Sequence, residues 1–535
     1  MAKEVYVAAV GLTKVDLTGR IFASIFDLFA DAFARALEDS SVRSFDAVQV
    51  GIMDSEEFEN RANIATKVAD RLGLTGIPAV RSETASSTGA AALHEAYYKV
   101  ASGAFESVLV LGGERMKTVT TEVATTIMSK TVDPEERRFG FTMPALIALI
   151  TQAWLQERRI GDAAAVEALS RLMHRAHALG SQNPLAAFFD KPEPLAAYHD
   201  EGRNLPVATP LRRKDCSPIC DGAAALILTS RPQSVRVAGL GSATETSSIL
   251  DRTVLTGLEA TRRAAQLAYW RAGVANPREI EGLVVEVHDA FNSLLPIGLV
   301  DLGLFDPPKV LEALVGKTSG PAQDPYTNPI TGPRGAIPTN LSGGLKARGH
   351  PVGGTGLFQI CENYLQIMGR FPNPKAQVPD ARFGISHSIG GPGNNNYVTL
   401  LERSDSRRHR DVVPAPRREF SSHEHRLVRE QAQGLHGSAA RVVAATTIHV
   451  TSGGGEPIHV ALLEIDGRRV FATLDRATAE GPADQVLAGQ KVRFLVKDDG
   501  DHYFQIPPER GFDLGRVVQS IRRRVGGRAA GTSRE

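Results

Sequence analysis

The chain has 535 residues, 42% of them hydrophobic and 23% charged, with a net charge of +1. That length exceeds one ordinary domain, and so balanced a charge gives no global field to hold nucleic acid or an acidic partner. The three cysteines, Cys216, Cys220 and Cys361, exclude a disulfide scaffold and fit a reducing compartment. Cys216 and Cys220 have no second pair beside them, so no zinc or other metal site is expected. No apolar run reaches the roughly 18 residues that a membrane span needs. MAKEVYVAAVGL opens on a strand rather than a leader, which points to a cytoplasmic protein.

From the start to residue 402, short apolar strands alternate with longer helical segments. VYVAAVGL (5–12), SVLVLGGE (107–114), AAALILTS (223–230), GLVVEVHDAF (282–291) and YVTLLE (397–402) read as strands. ASIFDLFADAFARALEDS (23–40) and STGAAALHEAYYKVASGAF (87–105) read as helices. The alternation predicts an α/β fold with buried, mostly parallel sheets. A break at SRPQS (230–234) divides it into halves, 1–232 and 233–402. Residues 403–436 are polar and basic and read as a solvated linker. From 437 to 508, short strands broken by glycine predict a small all-β barrel. Residues 509–535 form a basic tail, read as a short helix with a disordered end.

The string GGLKARGHPVGGTG (343–356) carries the strongest chemical signal. Its glycines allow close backbone approach to a ligand, and it holds His350 on a restricted loop as a base or hydrogen-bond donor. It resembles the active-site loop of thiolases. Five further segments agree in order. VEVHDAF (285–291) resembles the HD-x-F motif of thiolases linked to sterol carrier protein. FGFTMPALIAL (139–149) and PLRRKDCSPICDGAAALIL (210–228) resemble their substrate-loop region and the strand before the midpoint. ISHSIGGPGNNN (385–396) resembles their last glycine-rich loop. HRAHALGSQNP (174–184) resembles the end of the substrate loop. The resemblance spans residues 1–402 and implies a two-half thiolase fold, a CoA thioester as substrate, no permanently bound cofactor, and a homodimer or homotetramer.

The chain departs from that family at its nucleophile. In RSETASSTGAAALHEA (81–96) the expected cysteine falls on Ser86. A helix dipole lowers a thiol pKa usefully but leaves a serine hydroxyl far from ionisation near neutral pH, so Ser86 would need a base beside it. It otherwise serves as a helix cap. The second family cysteine is replaced by Ser388, or by Ala290 in the HD-x-F position. His288, His350, Ser86, His387 and Ser388 remain as candidate catalytic groups, with Asp289 as a loop-orienting partner. Arg212, Arg213, Lys214 and Lys346 are candidates for CoA, as is Arg348, with Gly349 and Gly391 for backbone approach.

Two imidazole-bearing loops can build an oxyanion hole for a thioester enolate without a nucleophile. The leading expectation is an enzyme that makes or breaks a C–C bond next to a CoA thioester by an aldol-type, cysteine-independent route. The alternatives are an acyltransferase using Ser86, a thiolase whose cysteine has been exchanged for serine, and a non-catalytic acyl-CoA-binding scaffold. GEPIHVALLEIDGRRVFATLDRA (455–477) resembles the OB-fold half of accessory proteins found beside thiolase-like partners. Their zinc ribbon is absent here, since 403–436 contains no cysteine. The few aromatics of the barrel alternate like core positions, so nucleic-acid binding is not expected.

Overall fold

A computed structural model describes residues 3–306, 330–332, 335–406, 408–416, 429–449, 456–476, 486–498 and 500–507. The basic tail lies outside the described residues. The body is built on one nine-stranded sheet, ordered Ala79–Ser82, Ala47–Gly51, Ser107–Arg115, Asp221–Thr229, Tyr6–Leu12, Val235–Thr244, Asn395–Arg403, Phe383–Gly390, Leu283–Glu286. Tyr6–Leu12 and Val235–Thr244 pair at the centre and join the two halves. Counting outward from that junction, the first half presents its first, last, next-to-last, second and third strands. The second half presents its first, last, next-to-last and second. The halves repeat one topology.

The sheet is mixed rather than mostly parallel. Three of its pairings are parallel and five antiparallel. Helices cover both faces, so a strand such as Asp221–Thr229 is buried along its whole length. A continuous apolar run of that kind reads the same in either direction. Thr88–Ala101 and Thr355–Ile367 pack against each other on one side of the sheet, and Ile25–Asp39 covers the other.

GLVVEVHDAF is strand only over Leu283–Glu286. The Asn340 side chain then takes over the pairing. Its Oδ1 accepts the Val287 N–H at 2.7 Å and its Nδ2 donates to the Val287 carbonyl at 3.0 Å. This holds the next residue, His288, on a fixed loop.

The barrel closes. Its strands are Ala439–Ile448, Ile458–Ile465, Arg468–Leu474, Lys491–Val496 and His502–Gln505. They run first, second, third, fifth, fourth and back to first, with one parallel pairing between third and fifth. Two short strands of the body, Pro206–Ala208 and Leu211–Arg212, continue this sheet through the Ile448–Ala208 pair. The Thr209 N–H donates to the Thr447 carbonyl at 2.9 Å, and the His449 N–H to the Val207 carbonyl at 2.8 Å.

Barrel and body also share a core. Phe471 lies 4.7 Å from the Phe141 ring and 6.1 Å from Phe139, while Ile448, Val460 and Leu462 join the same apolar cluster as the helix Met143–Glu157. The linker is not wholly solvated. Arg408 donates to the carbonyls of Ala272 and Gly273 and pairs with buried Glu402.

Replacing fully buried Phe471 with alanine is expected to cost about 3–5 kcal/mol in chemical denaturation, with barrel and body unfolding together. An early, separate barrel transition would show that the shared core does not couple them.

Candidate functional site

Four chain segments from both halves meet at one cavity of about 1250 Å³. That exceeds the few hundred to about 1,000 Å³ of ordinary small-ligand pockets. Ser86, His288, His350 and Gly391 line it together.

Ser86 sits where the strand Ala79–Ser82 turns into the helix Thr88–Ala101. The turn is tight. Ala85 takes a left-handed φ of 53°, rare for a residue with a side chain. The Thr84 N–H donates to Thr88 Oγ1 at 2.8 Å, whose hydroxyl donates to the Ala85 carbonyl at 2.6 Å. The last glycine-rich loop can close over this turn only because residue 390 lacks a side chain: a Cβ there would lie 2.5 Å from the Thr84 carbonyl. Ser86 is not the helix cap, a position held by Ser87. Among the described residues no base hydrogen-bonds to the Ser86 hydroxyl.

His288 and His350 meet edge to face, ring centroids 5.1 Å apart and planes at 90°. Burial, then the charge of Arg348, drives the His350 pKa down to about 3. Burial, then the neighbouring imidazoles, drives His288 well below its ordinary range. Both rings are therefore neutral at physiological pH.

The His350 tautomer follows from its partner. Nδ1 lies 2.7 Å from Thr355 Oγ1, which also lies 2.9 Å from the Pro351 carbonyl. The Thr355 hydroxyl donates to that carbonyl, so the ring proton sits on Nδ1, which donates to Thr355 Oγ1, and Nε2 is left as an acceptor. His288 Nδ1 has no partner among the described residues.

Beneath the two imidazoles lies a water-excluded charge cluster. Arg348, 1% exposed, pairs with Glu362 at 3.1 Å and lies 4.7 Å from the Phe358 ring centroid. Burial and the nearby Glu362 raise Glu286 well above the usual carboxylate range. Asp289 accepts the Leu345 N–H at 2.7 Å and orients the loop.

The remaining candidates separate. His387 is fully buried off the cavity, with Nε2 3.0 Å from Thr261 Oγ1. Ser388 is also buried and does not line the cavity; its hydroxyl faces Gly356. Gly349 stands behind His350 against Val15 and Cys220. Arg212 turns away to Glu201 at 3.3 Å. Arg213 is exposed at the cavity edge, and Lys214 lines the cavity while paired to Glu193 at 2.6 Å. Lys346 lines the interior and is 7% exposed. Arg348 is sealed in the cluster below.

Cys361 and Cys220 are buried. Cys216 is half-buried on the cavity wall, with burial and the Asp215 carboxylate pushing its thiol up to about 12. It is no thiolate near neutral pH. His177, Phe188 and Glu193 also line the cavity. The sequence signal for His177 was the HRAHALGSQNP stretch, where helical histidines carry no chemistry of their own, and Phe188 and Glu193 lie beyond it. Among the described residues no group of three or more His, Cys, Asp or Glu could hold a metal ion, and no helix is long and apolar enough to cross a membrane.

A model of the thiolase N-terminal domain matches residues 5–188, and one of the thiolase C-terminal domain matches residues 241–403. An acetyl-CoA acetyltransferase of Methanothermobacter thermautotrophicus is 33% identical over 74% of this chain and 99% of its own. The chain belongs to the thiolase family. Sterol carrier protein 2 of Bos taurus is 27% identical, matching 75% of this chain and 73% of its own. Among solved structures, a monomeric SCP2-thiolase-like protein type 1 from Mycobacterium smegmatis covers 94% of this thiolase and 98% of its own chain, at 16% identity and TM-score 0.65. An Ltp2-ChsH2(DUF35) aldolase covers 76% and 99%, at 18% identity and TM-score 0.60. These two likenesses show the fold.

His387, at the second-half loop of this thiolase, has its pKa lowered from 6.5 to about 3 by burial alone. The unfolded chain therefore binds a proton first as pH falls, and stability present above pH 6.5 is lost toward pH 3. The slope is up to about 1.4 kcal/mol per pH unit. His387→Gln is expected to remove that contribution, which urea denaturation across pH 4–7 would measure. Parallel curves for the two proteins would mean that His387 is not a buried neutral imidazole.

Proposed function

We propose that this thiolase-family protein makes or breaks a C–C bond next to a CoA thioester by an aldol-type route without a cysteine nucleophile. One observation carries the reading: two neutral imidazoles face a single cavity, while the residue at the nucleophile position, Ser86, has no base in hydrogen-bond contact among the described residues. In the cleavage direction, His350 Nε2 takes the proton from the β-hydroxyl. The Cα–Cβ bond breaks, the β-carbon leaves as a carbonyl, and its electron pair forms the thioester enolate. The His288 ring N–H donates to the developing enolate oxygen. The proton held by His350 then passes to the α-carbon and releases a shorter acyl-CoA, and condensation is the same path reversed. The aldolase among the fold neighbours is in keeping with this route. CoA phosphates are assigned to the exposed edge, where Arg213 stands.

The acyltransferase reading survives on a specific observation as well. Ser86 opens on the cavity beside a strained turn, and two curated relatives are named acetyl-CoA acetyltransferase.

Intact-protein mass and product analysis after incubation with β-hydroxyacyl-, β-ketoacyl- and simple acyl-CoA esters separates the two. The expected result is no adduct and cleavage of a β-hydroxyacyl-CoA. Turnover is expected to fall at least about 100-fold in His288→Ala and His350→Ala and to persist in Ser86→Ala. An acyl group on Ser86 would overturn the lyase in favour of the acyltransferase.

The barrel, with the strand order of an OB-fold, is assigned to the accessory family and to walling the acyl end of the cavity. Val207 supports this, since it lines the cavity and its carbonyl accepts the His449 N–H from the barrel's first strand. The chain is also proposed to form a homodimer through Ala79–Ser82. That strand pairs on one side only, and its Val80 is 49% exposed. Analytical ultracentrifugation is expected to show a dimer that Val80→Lys dissociates; a monomeric parent protein would refute it.

A further inference from the structure

Away from the two imidazoles, the cavity wall carries a second polar group built by helix packing. The short helix Gly344–Ala347 lies against the long helix Asp162–Gly180. The contact is so close that a Cβ on Gly180 would lie 2.6 Å from the Ala347 Cβ. His177 is almost one turn before Gly180 on the same helix face, and Lys346 directly precedes Ala347. The packing therefore brings imidazole and ammonium to one patch, flanking Phe188. The His177 and Phe188 rings are 4.6 Å apart, and Lys346 Nζ is 5.9 Å from the Phe188 centroid.

Both side chains are more than nine-tenths buried and line the cavity. Lys346 spends one of its three hydrogens on the Cys216 carbonyl at 2.8 Å. It has no carboxylate in ion-pair contact among the described residues. Nearby Asp215 is occupied by the Arg212 N–H at 2.7 Å and Asn292 Nδ2 at 2.8 Å. Glu193 is neutralised by Lys214 at 2.6 Å. The Lys191 backbone lies near the His177 ring, yet neither ring nitrogen has a partner in hydrogen-bond geometry. Burial lowers the Lys346 pKa to about 8, and burial with the Lys346 charge lowers His177 to about 4. An arriving anion would reverse both effects. The patch thus holds one cation with no carboxylate in ion-pair contact among the described residues, beside an imidazole, a donor set that suits one singly charged oxyanion. The exposed Arg203 and Arg213 at the edge suit the more highly charged, hydrated phosphates.

We propose that Lys346 and His177 bind a carboxylate on the acyl part of the substrate, so that this thiolase-family protein selects acid-bearing acyl-CoA esters over plain alkyl ones. This rests on the CoA-thioester reading above.

The test uses CoA thioethers, which cannot turn over, with tails of several lengths ending in a carboxylate or in methyl, beside CoA alone. Binding to the full chain is measured by titration calorimetry. At one or more lengths the carboxylate-ended ligand is expected to bind about tenfold or more tightly than its methyl counterpart. Lys346→Met is expected to erase that preference and His177→Phe to weaken it, with affinity for CoA alone retained; circular dichroism and the melting temperature check folding, and Lys346→Gln replaces a variant that fails that check. Absence of a carboxylate preference at every length overturns the proposal. So does an equal loss of affinity for CoA alone in a folded Lys346 variant, which would hand the patch to the CoA phosphates. Failure of every ligand, CoA included, would instead refute the CoA reading beneath it.

Discussion

A guanidinium sealed from water fixes the two imidazoles in register. Arg348 stands two residues before His350, and Glu286 two residues before His288; Glu362 comes from the helix that follows the His350 loop. The Arg348–Glu362 pair at 3.1 Å ties the loop to that helix, and the raised Glu286 keeps its proton nearby rather than adding a second buried negative charge. The Glu286 carboxyl also accepts the Ser342 hydroxyl at 3.0 Å, which draws the glycine-rich loop toward the strand of His288. Breaking such a buried pair by removing one partner costs about 3–5 kcal/mol, because the other charge is left stranded. The cost falls on the geometry that sets the rings 5.1 Å apart.

Electrostatics then divide the cavity into zones. Around the imidazoles, burial keeps both rings neutral, which suits a base and a donor rather than a permanent cation. At the Lys346 patch stands a cation with no carboxylate in ion-pair contact among the described residues. At the edge, solvent-exposed arginines face outward. The one cysteine on the wall, Cys216, is held protonated. A thiolase-family cavity with these zones keeps the means to stabilise an enolate oxygen and lacks a ready thiolate, which is why the lyase reading needs fewer additional groups than acyl transfer.

The barrel is joined to the part of the body that borders the cavity. Its first strand pairs with a body strand, and Phe471 enters the core beside Phe139 and Phe141. Those two phenylalanines belong to the FGFTMPALIAL segment, which goes on to line the cavity at Met143 and Ile147. Packing at the barrel is thereby continuous with the cavity wall at Met143 and Ile147.

Much of this was legible in the sequence, for local reasons. The glycine-rich string around His350 and the HD-x-F string around His288 specify backbones that few other residues can form, so their loops could be placed without a fold. The halves and the barrel were legible because buried strands and turns leave period and punctuation in the chain. Strand direction was not, since a strand covered on both faces carries the same apolar run either way. Nor was the fate of His387 and Ser388. They share a strand with Ile389, which reaches the cavity, and only the twist and contacts of the sheet decide which of its residues do so. His177 and Lys346 lie far apart in sequence and meet because a glycine and an alanine let two helices approach. The sequence determined which groups this protein possesses and the loops that carry them. The tertiary structure decided which of them share one space, because that depends on packing between segments whose own residues do not encode each other's position.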